Sequence, residues 1–147
     1  MKSMTTLNKY AAEVIRNYPV HGCTDVTGFG FLGHLHEMLD QKASAVIYAD
    51  QVPVFEEAFR HADEFLLTAA GQRNRNFAEG RVKFEDIAFS MEEVLFDPQT
   101  SGGLLFSVEK DKAEALLTEL NKTVPAARIV GEVAEKQDVE ITVKNHR

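Results

Sequence analysis

The sequence predicts an α/β (α+β) fold, a mixed β-sheet covered by helices. Two observations carry this expectation. Short apolar runs suited to strands, Ala45–Ala49 and Leu104–Val108 among them, alternate with stretches whose apolar residues recur at helical spacing. The last two strand-like runs, Ala127–Val133 and Val139–Val143, follow one another with no helix between, so the sheet is not built from crossover units alone. At 147 residues the chain is one domain's worth and long enough to bury a core.

Taken in order, Thr5 to Tyr18 reads as an amphipathic helix. Leu7, Ala11, Val14, Ile15 and Tyr18 share one stripe, Thr5 or Thr6 is placed to cap it, and Pro19 stops it. His21 to His34 reads as strand end, glycine turn and helix start. Its helix carries Phe31, Leu32, Leu35, Met38 and Leu39 inward and ends near Asp40 to Lys42. After the Ala45–Ala49 strand, Pro53 suits the first turn of a helix whose stripe is Phe55, Ala58, Phe59, Ala62 and Phe65 or Leu66, read as packed core. Thr68 to Gly80 lacks periodicity and reads as a loop. Val82 and Phe84 suggest a brief extended piece and Asp86 to Glu93 a short helix. The turn Asp97–Gly103 leads into the buried strand Leu104–Val108. Lys110–Lys122 is a helix facing inward with Ala113, Leu116, Leu117 and Leu120. Ala127–Val133 and Val139–Val143 then close the fold as a pair around the polar turn Glu135–Asp138.

Composition removes several function classes. The net charge of -7 argues against a nucleic-acid partner, although Arg73, Arg75, Arg81 and Lys83 make one local basic cluster. No apolar run approaches the ~20 residues of a membrane span, so no membrane partner is expected. Met1-Lys-Ser-Met-Thr-Thr has no signal-peptide core, and the single cysteine agrees with a reducing cytoplasm.

Chemistry concentrates in two turns. In Thr24-Asp-Val-Thr-Gly-Phe-Gly30, the glycines Gly28 and Gly30 allow positive φ and close approach of a ligand. The free amides of the following helix start, Gly30 to Gly33, suit a phosphate, and Asp25 places a carboxylate beside them. A carboxylate next to phosphate oxygens is what a magnesium–nucleotide site uses. On residues alone, an ordinary turn and helix cap accounts for the same pattern. The second turn, Asp97-Pro-Gln-Thr-Ser-Gly-Gly103, offers the hydroxyls of Thr100 and Ser101 and the amides of Gly102 and Gly103.

These stretches carry a family resemblance. His21-Gly-Cys-Thr-Asp-Val-Thr-Gly-Phe-Gly-Phe-Leu-Gly-His34 closely resembles the signature opening the C-terminal domain of the selenophosphate synthetase (selenide, water dikinase) family. Leu95-Phe-Asp-Pro-Gln-Thr-Ser-Gly-Gly-Leu-Leu105 resembles its second signature, and Arg75-Asn-Phe77 a motif lying between them. Met4-Thr-Thr-Leu-Asn8 resembles the helix that joins the two halves of such enzymes, and the likeness runs from about Met4 to Val143. Other families of the aminoimidazole ribonucleotide synthetase superfamily share the fold but differ around Asp25–Gly30.

The resemblance implies the superfamily's α/β C-terminal domain, with residues 1–147 as one such domain and the ATP-binding N-terminal domain absent. It implies a cytoplasmic enzyme, a homodimer when complete, that makes selenophosphate from selenide, ATP and water and releases AMP and phosphate. Asp25 is then a ligand of Mg2+ held with ATP, the other metal carboxylates lying in the N-terminal half. Thr24, Thr27, Gly28, Gly30, Arg75, Thr100, Ser101, Gly102 and Gly103 line the cleft or contact phosphate. No catalytic residue lies in this chain, because the reactive cysteine or selenocysteine belongs to the other half, and the domain alone is expected to be inactive. Other readings stand beside this one. The domain could serve a related ATP-dependent synthetase, or work alone as a phosphate- or partner-binding module. Cys23 with His21 as base could form a nucleophile, against a small buried thiol. Arg75, in the central loop, is either a phosphate contact or a solvated charge. His21, Cys23 and His34 could hold zinc, whereas His34 and His36, roughly 200° apart on a helix at ~100° per residue, could not share one ion.

Overall fold

The computed structural model describes residues 2–146. Its elements are α1 (Lys2–Thr5), α2 (Lys9–Ile15), β1 (Val20–Asp25), α3 (Gly30–Leu39), β2 (Ala43–Tyr48), α4 (Glu56–Asp63), α5 (Ala69–Phe77), β3 (Val82–Phe84), α6 (Phe89–Phe96), β4 (Leu104–Val108), α7 (Ala113–Leu120), β5 (Gly131–Glu135) and β6 (Ile141–Lys144). The mixed α/β architecture agrees with the sequence, but the strands form two sheets: β1 with β4, and a four-stranded sheet in the order β3-β6-β2-β5.

Helix α3 is the pivot. Eight of its ten residues are buried, so it cannot be a surface helix. Phe31, Leu32, Leu35 and Leu39 pack into the main core with Ala45 and Ile47 of β2, Ile141 and Val143 of β6, and Met91, Leu95 and Phe96 of α6. A Cβ on Gly22 would sit 3.2 Å from Met38 Cγ, so α3 also lies close against β1. A second cluster joins Ile15 of α2 to Leu116 and Leu120 of α7, with Leu104, Phe106 and Val108 of β4 packed on it. Among the described residues no helix is long and apolar enough to cross a membrane.

Five expectations are corrected. The first helix is split: α2 starts after Asn8, not at Thr5 or Thr6, and the short α1 precedes it. The closing strands are not a pair, since β2 lies between β5 and β6, antiparallel to one and parallel to the other. Burial explains the order: Ile141 and Val143 are fully buried, which suits an interior strand, whereas Gly-Glu-Val-Ala-Glu of β5 suits a charged edge. Strand β4 is half-buried throughout rather than buried. The stripe of α4 is core only in part: Ala62 is buried and Phe59 packs on the core, but Phe55, Phe65 and Leu66 are exposed. Phe55 precedes the helix, and for Phe65 and Leu66 the cause is a helix end with Phe65 at φ 58, where Leu66 N donates to His61 O and Phe65 N to Ala62 O, turning the chain outward.

The fifth correction matters most for the site. Thr68–Gly80 is not a loop, because residues Ala69–Phe77 form α5, capped by Thr68 Oγ1 accepting from Gly71 N at 2.9 Å. Gly71, Asn74 and Ala78 are buried at helical spacing. The inward face is small and polar, so hydrophobic periodicity does not reveal it.

Candidate functional site

The site grows from the end of β1. Strand alternation turns His21, Cys23 and Asp25 to an exposed face and tucks Gly22 and Thr24 inward. Asp25 pairs with Leu104, so the strand ends beside the turn that opens β4. The two turns are then stitched together backbone to backbone. Val26 N donates to Gly103 O, Gly102 N to Val26 O, and Gln99 N to Thr27 O, each at 2.9 Å. Two motifs more than 70 residues apart in sequence thus form one surface.

The glycine turn is held from inside by His34. Phe29 N donates to His34 Nε2 at 3.4 Å, and the Thr27 hydroxyl lies 3.1 Å from the same nitrogen. An Nε2 that accepts requires the ring proton on Nδ1, which lies 3.0 Å from Glu37 Oε2 without hydrogen-bond geometry. Thr27 therefore turns its hydroxyl to His34. His36 points elsewhere, with Nδ1 2.7 Å from Glu140 Oε2 in a buried pair. The two histidines serve separate partners, and among the described residues no three His, Cys, Asp or Glu side chains gather to hold a metal.

Gly30 is a close approach, but to the chain itself. Its φ is 68°, and a Cβ there would lie 2.6 Å from Phe96 O and 2.9 Å from Asp97 O. The start of α3 is buried under the end of α6, so the amides of Gly30 to Gly33 are not an open cradle. Gly28 differs: it is exposed, and a Cβ would meet nothing within 4 Å. Gly102 is crowded by Val26 O and the Gln99 side chain, while Gly103 needs its glycine for φ 98°.

Arg75 is also internally engaged. One guanidinium nitrogen donates to Glu93 Oε1 at 2.7 Å and the other to Glu92, with the group set against the rings of Phe84, Phe89 and Phe96. Gln72 donates to the second oxygen of the buried Glu93. A guanidinium held by two carboxylates of α6 and carried on a helix is not a solvated loop charge, and it locks α5 on α6.

Cys23 is exposed on β1, not a small buried residue. Desolvation of the thiol and the nearby Asp25 charge push its pKa up, opposite to what a thiolate nucleophile needs. The Asp25 carboxylate is exposed and has no hydrogen bond or ion pair among the described residues. With Thr100, Ser101 and Gly102 also exposed, these groups and Gly28 are the open positions of the paired turns. Sequence reasoning missed Thr68, whose hydroxyl donates to Asp97 Oδ1 at 2.6 Å, and Asn74, whose side chain reaches both turns.

A family profile described as AIR synthase related protein, C-terminal domain, matches residues 2–144. Relatives named selenide, water dikinase include one from Agathobacter rectalis, 55% identical over 145 residues and covering 97% of this chain and 42% of the relative. Another, from Desulfitobacterium hafniense (strain DSM 10664 / DCB-2), is 50% identical over 141 residues and covers 96% and 42%. The chain thus spans about two fifths of the length of these curated relatives, 42% in each case. Among solved structures, Escherichia coli HypE, a hydrogenase maturation protein, superposes with a TM-score of 0.54 at 20% identity, covering 88% of this chain and 33% of that one. A HypE–HypF complex gives 0.58 at 22% identity, covering 93% and 38%. These two likenesses speak to the fold alone.

Proposed function

The chain belongs to the family of AIR synthase related C-terminal domains, and we propose that it is the C-terminal domain of a selenide, water dikinase. The complete enzyme, cytoplasmic and homodimeric on this reading, makes selenophosphate from selenide, ATP and water with release of AMP and phosphate. The observation that carries the proposal is the interlocking of the two signature turns, which leaves one unpartnered carboxylate, Asp25, at their shared edge.

The donor set fits a share in a magnesium site and no more. Magnesium takes one or two carboxylates together with phosphate oxygens, and Asp25 supplies one hard oxygen ligand. On this reading the remaining ligands come from phosphate oxygens and from an ATP-binding half. Bound there, magnesium would neutralise phosphate charge. Asp25 would contribute that ligand from the rigid end of β1, while Thr100, Ser101 and the Gly28 backbone offer hydrogen bonds at the edge of the cleft.

The test uses the chain alone and joined to its ATP-binding half. The chain alone should form no AMP in the presence of selenide, ATP and magnesium, and the joined protein should form AMP and selenophosphate. Asp25→Asn in the joined protein should raise the magnesium concentration for half-maximal rate about tenfold, equivalent to about 1.4 kcal/mol, with the fold intact. An unchanged magnesium requirement would reduce Asp25 to a turn residue and remove the proposed site.

A further inference from the structure

Helix α5 holds both turns at once through one side chain. Asn74 is 7% exposed, and its Nδ2 lies 2.9 Å from Gly28 O and 2.9 Å from Phe96 O. The first carbonyl belongs to the glycine turn after β1. The second ends α6, directly before the Asp97–Gly103 turn. A primary amide nitrogen carries two hydrogens in one plane, so each carbonyl receives one. Both partners are acceptors, and that fixes which end of the amide is nitrogen. Six residues further back, the Thr68 hydroxyl at the start of α5 donates to Asp97 Oδ1 at 2.6 Å, so α5 grips the entry to the second turn at two successive residues, Phe96 and Asp97. Arg75, next in sequence, is bound to Glu92 and Glu93 of α6 and keeps the helix from sliding.

We propose that Asn74 is a positioning residue for the cleft edge. It sets the distance between the Gly28 turn and the Thr100–Gly103 turn, and through them the placement of Asp25 against the hydroxyls opposite. This rests on the reading of those turns as the edge of a magnesium–nucleotide cleft. The backbone bonds from Val26 and Thr27 join the turns on their strand side, where β1 meets β4. Asn74 joins them from the helix side, so that without it the glycine turn pivots on the strand. No other residue type serves as well: aspartate offers no donor and repels both carbonyls, leucine leaves both unpaired, and glutamine is one methylene too long for both distances.

Three measurements test this. In the unmodified chain, the Asn74 side-chain amide protons should exchange with solvent at least tenfold more slowly than those of the exposed Asn17 and Asn76; equal rates overturn the clamp whatever the variants do. In Asn74→Ala, with Asn74→Ser as the milder variant, the amides of Gln99 and Gly102 should exchange at least tenfold faster. The amide of Ile47 in the four-stranded sheet should change less than twofold. A uniform change, or none, overturns a local positioning role. In the complete enzyme, Asn74→Ala should raise the magnesium requirement severalfold in a protein that remains folded. If Asp25→Asn shifts that requirement and Asn74→Ala does not, the positioning role fails while the site stands. If neither shifts it although turn exchange is locally faster, the site reading fails and the clamp is structural only.

Discussion

Replacing Gly30 by alanine separates a scaffold glycine from a ligand-facing one. The backbone at Gly30 is left-handed, at φ 68°, which costs an L-residue about 1–2 kcal/mol. The added methyl would also lie 2.6 Å from Phe96 O, 2.7 Å from Phe96 C and 2.9 Å from Asp97 O. Those are backbone atoms at the end of α6, pinned by Asn74, so they yield less than a side chain would. Overpacking of this kind typically costs about 1–3 kcal/mol. The sum is about 2–5 kcal/mol, a large part of the 5–15 kcal/mol or so that holds a domain together. For a chain of this size it corresponds to a fall in Tm of roughly 4–20 °C. Urea unfolding of the 147-residue chain, Gly30→Ala against the unmodified protein, gives the number directly. Gly28→Ala is the paired control, because its methyl meets nothing within 4 Å and should change stability by no more than about 0.5 kcal/mol. A Gly30→Ala loss below about 1 kcal/mol, or equal losses at the two positions, would refute the reasoning that Gly30 is glycine because α6 presses on it.

Two further predictions follow from single residues. Cys23, its thiol pushed up by desolvation and the Asp25 charge, should react with iodoacetamide more slowly in the native than in the urea-unfolded chain, with its pH midpoint displaced upward. Because the folded state keeps the proton longer, this group's contribution to stability is complete below the ordinary thiol range and lost as pH rises through the folded pKa; a native midpoint at or below the unfolded one contradicts this. Phe65 stands at φ 58° in the position after α4 where glycine is usual, and is 74% exposed, so Phe65→Gly should leave stability unchanged or raise it by about 1 kcal/mol in urea unfolding; a clear loss would mean that its ring contact with Phe89 outweighs the backbone strain.

What the sequence made legible depended on whether apolar spacing was the physical cause. Helix α3, strand β2 and strand β4 are held by their own apolar residues, and periodicity finds them within a residue or two. Helix α5 is held by Asn74, Arg75 and Gln72 against partners on α6 and in the turns, so its inward face looked like loop composition. A buried-position pattern was present at Gly71, Asn74 and Ala78, but small and polar residues carry no hydrophobic signal. Strand order failed for a related reason. Neighbourhood in the chain suggested pairing of β5 with β6, while charge on β5 and full burial of β6 decided which strand could be an edge. For the site, motif spelling singled out two turns that the structure joins backbone to backbone, because short glycine-containing segments are constrained residue by residue. It did not tell which glycine faces outward, since the spelling is the same for Gly28 and Gly30, which differ in φ and in what packs against them.

That difference reshapes the chemistry the turn can offer. Had the amides after Gly30 been open, the helix start would have been the natural anion site. With α6 seated there, the Thr27 hydroxyl turned to His34 and Arg75 held by two glutamates, several of the groups that pointed to phosphate are engaged within the chain itself. What stays exposed is sparse: one carboxylate at Asp25, two hydroxyls at Thr100 and Ser101, and open space above Gly28. On the proposed reading such a set would bind a magnesium-complexed phosphate only weakly by itself, because a hard cation needs more oxygen ligands than one carboxylate provides. Held rigidly, however, it costs little further ordering when another surface brings the remaining ligands. Rigidity rather than ligand number is therefore what this domain would contribute to a shared cleft, and the buried amide of Asn74 is the bond on which that rigidity turns.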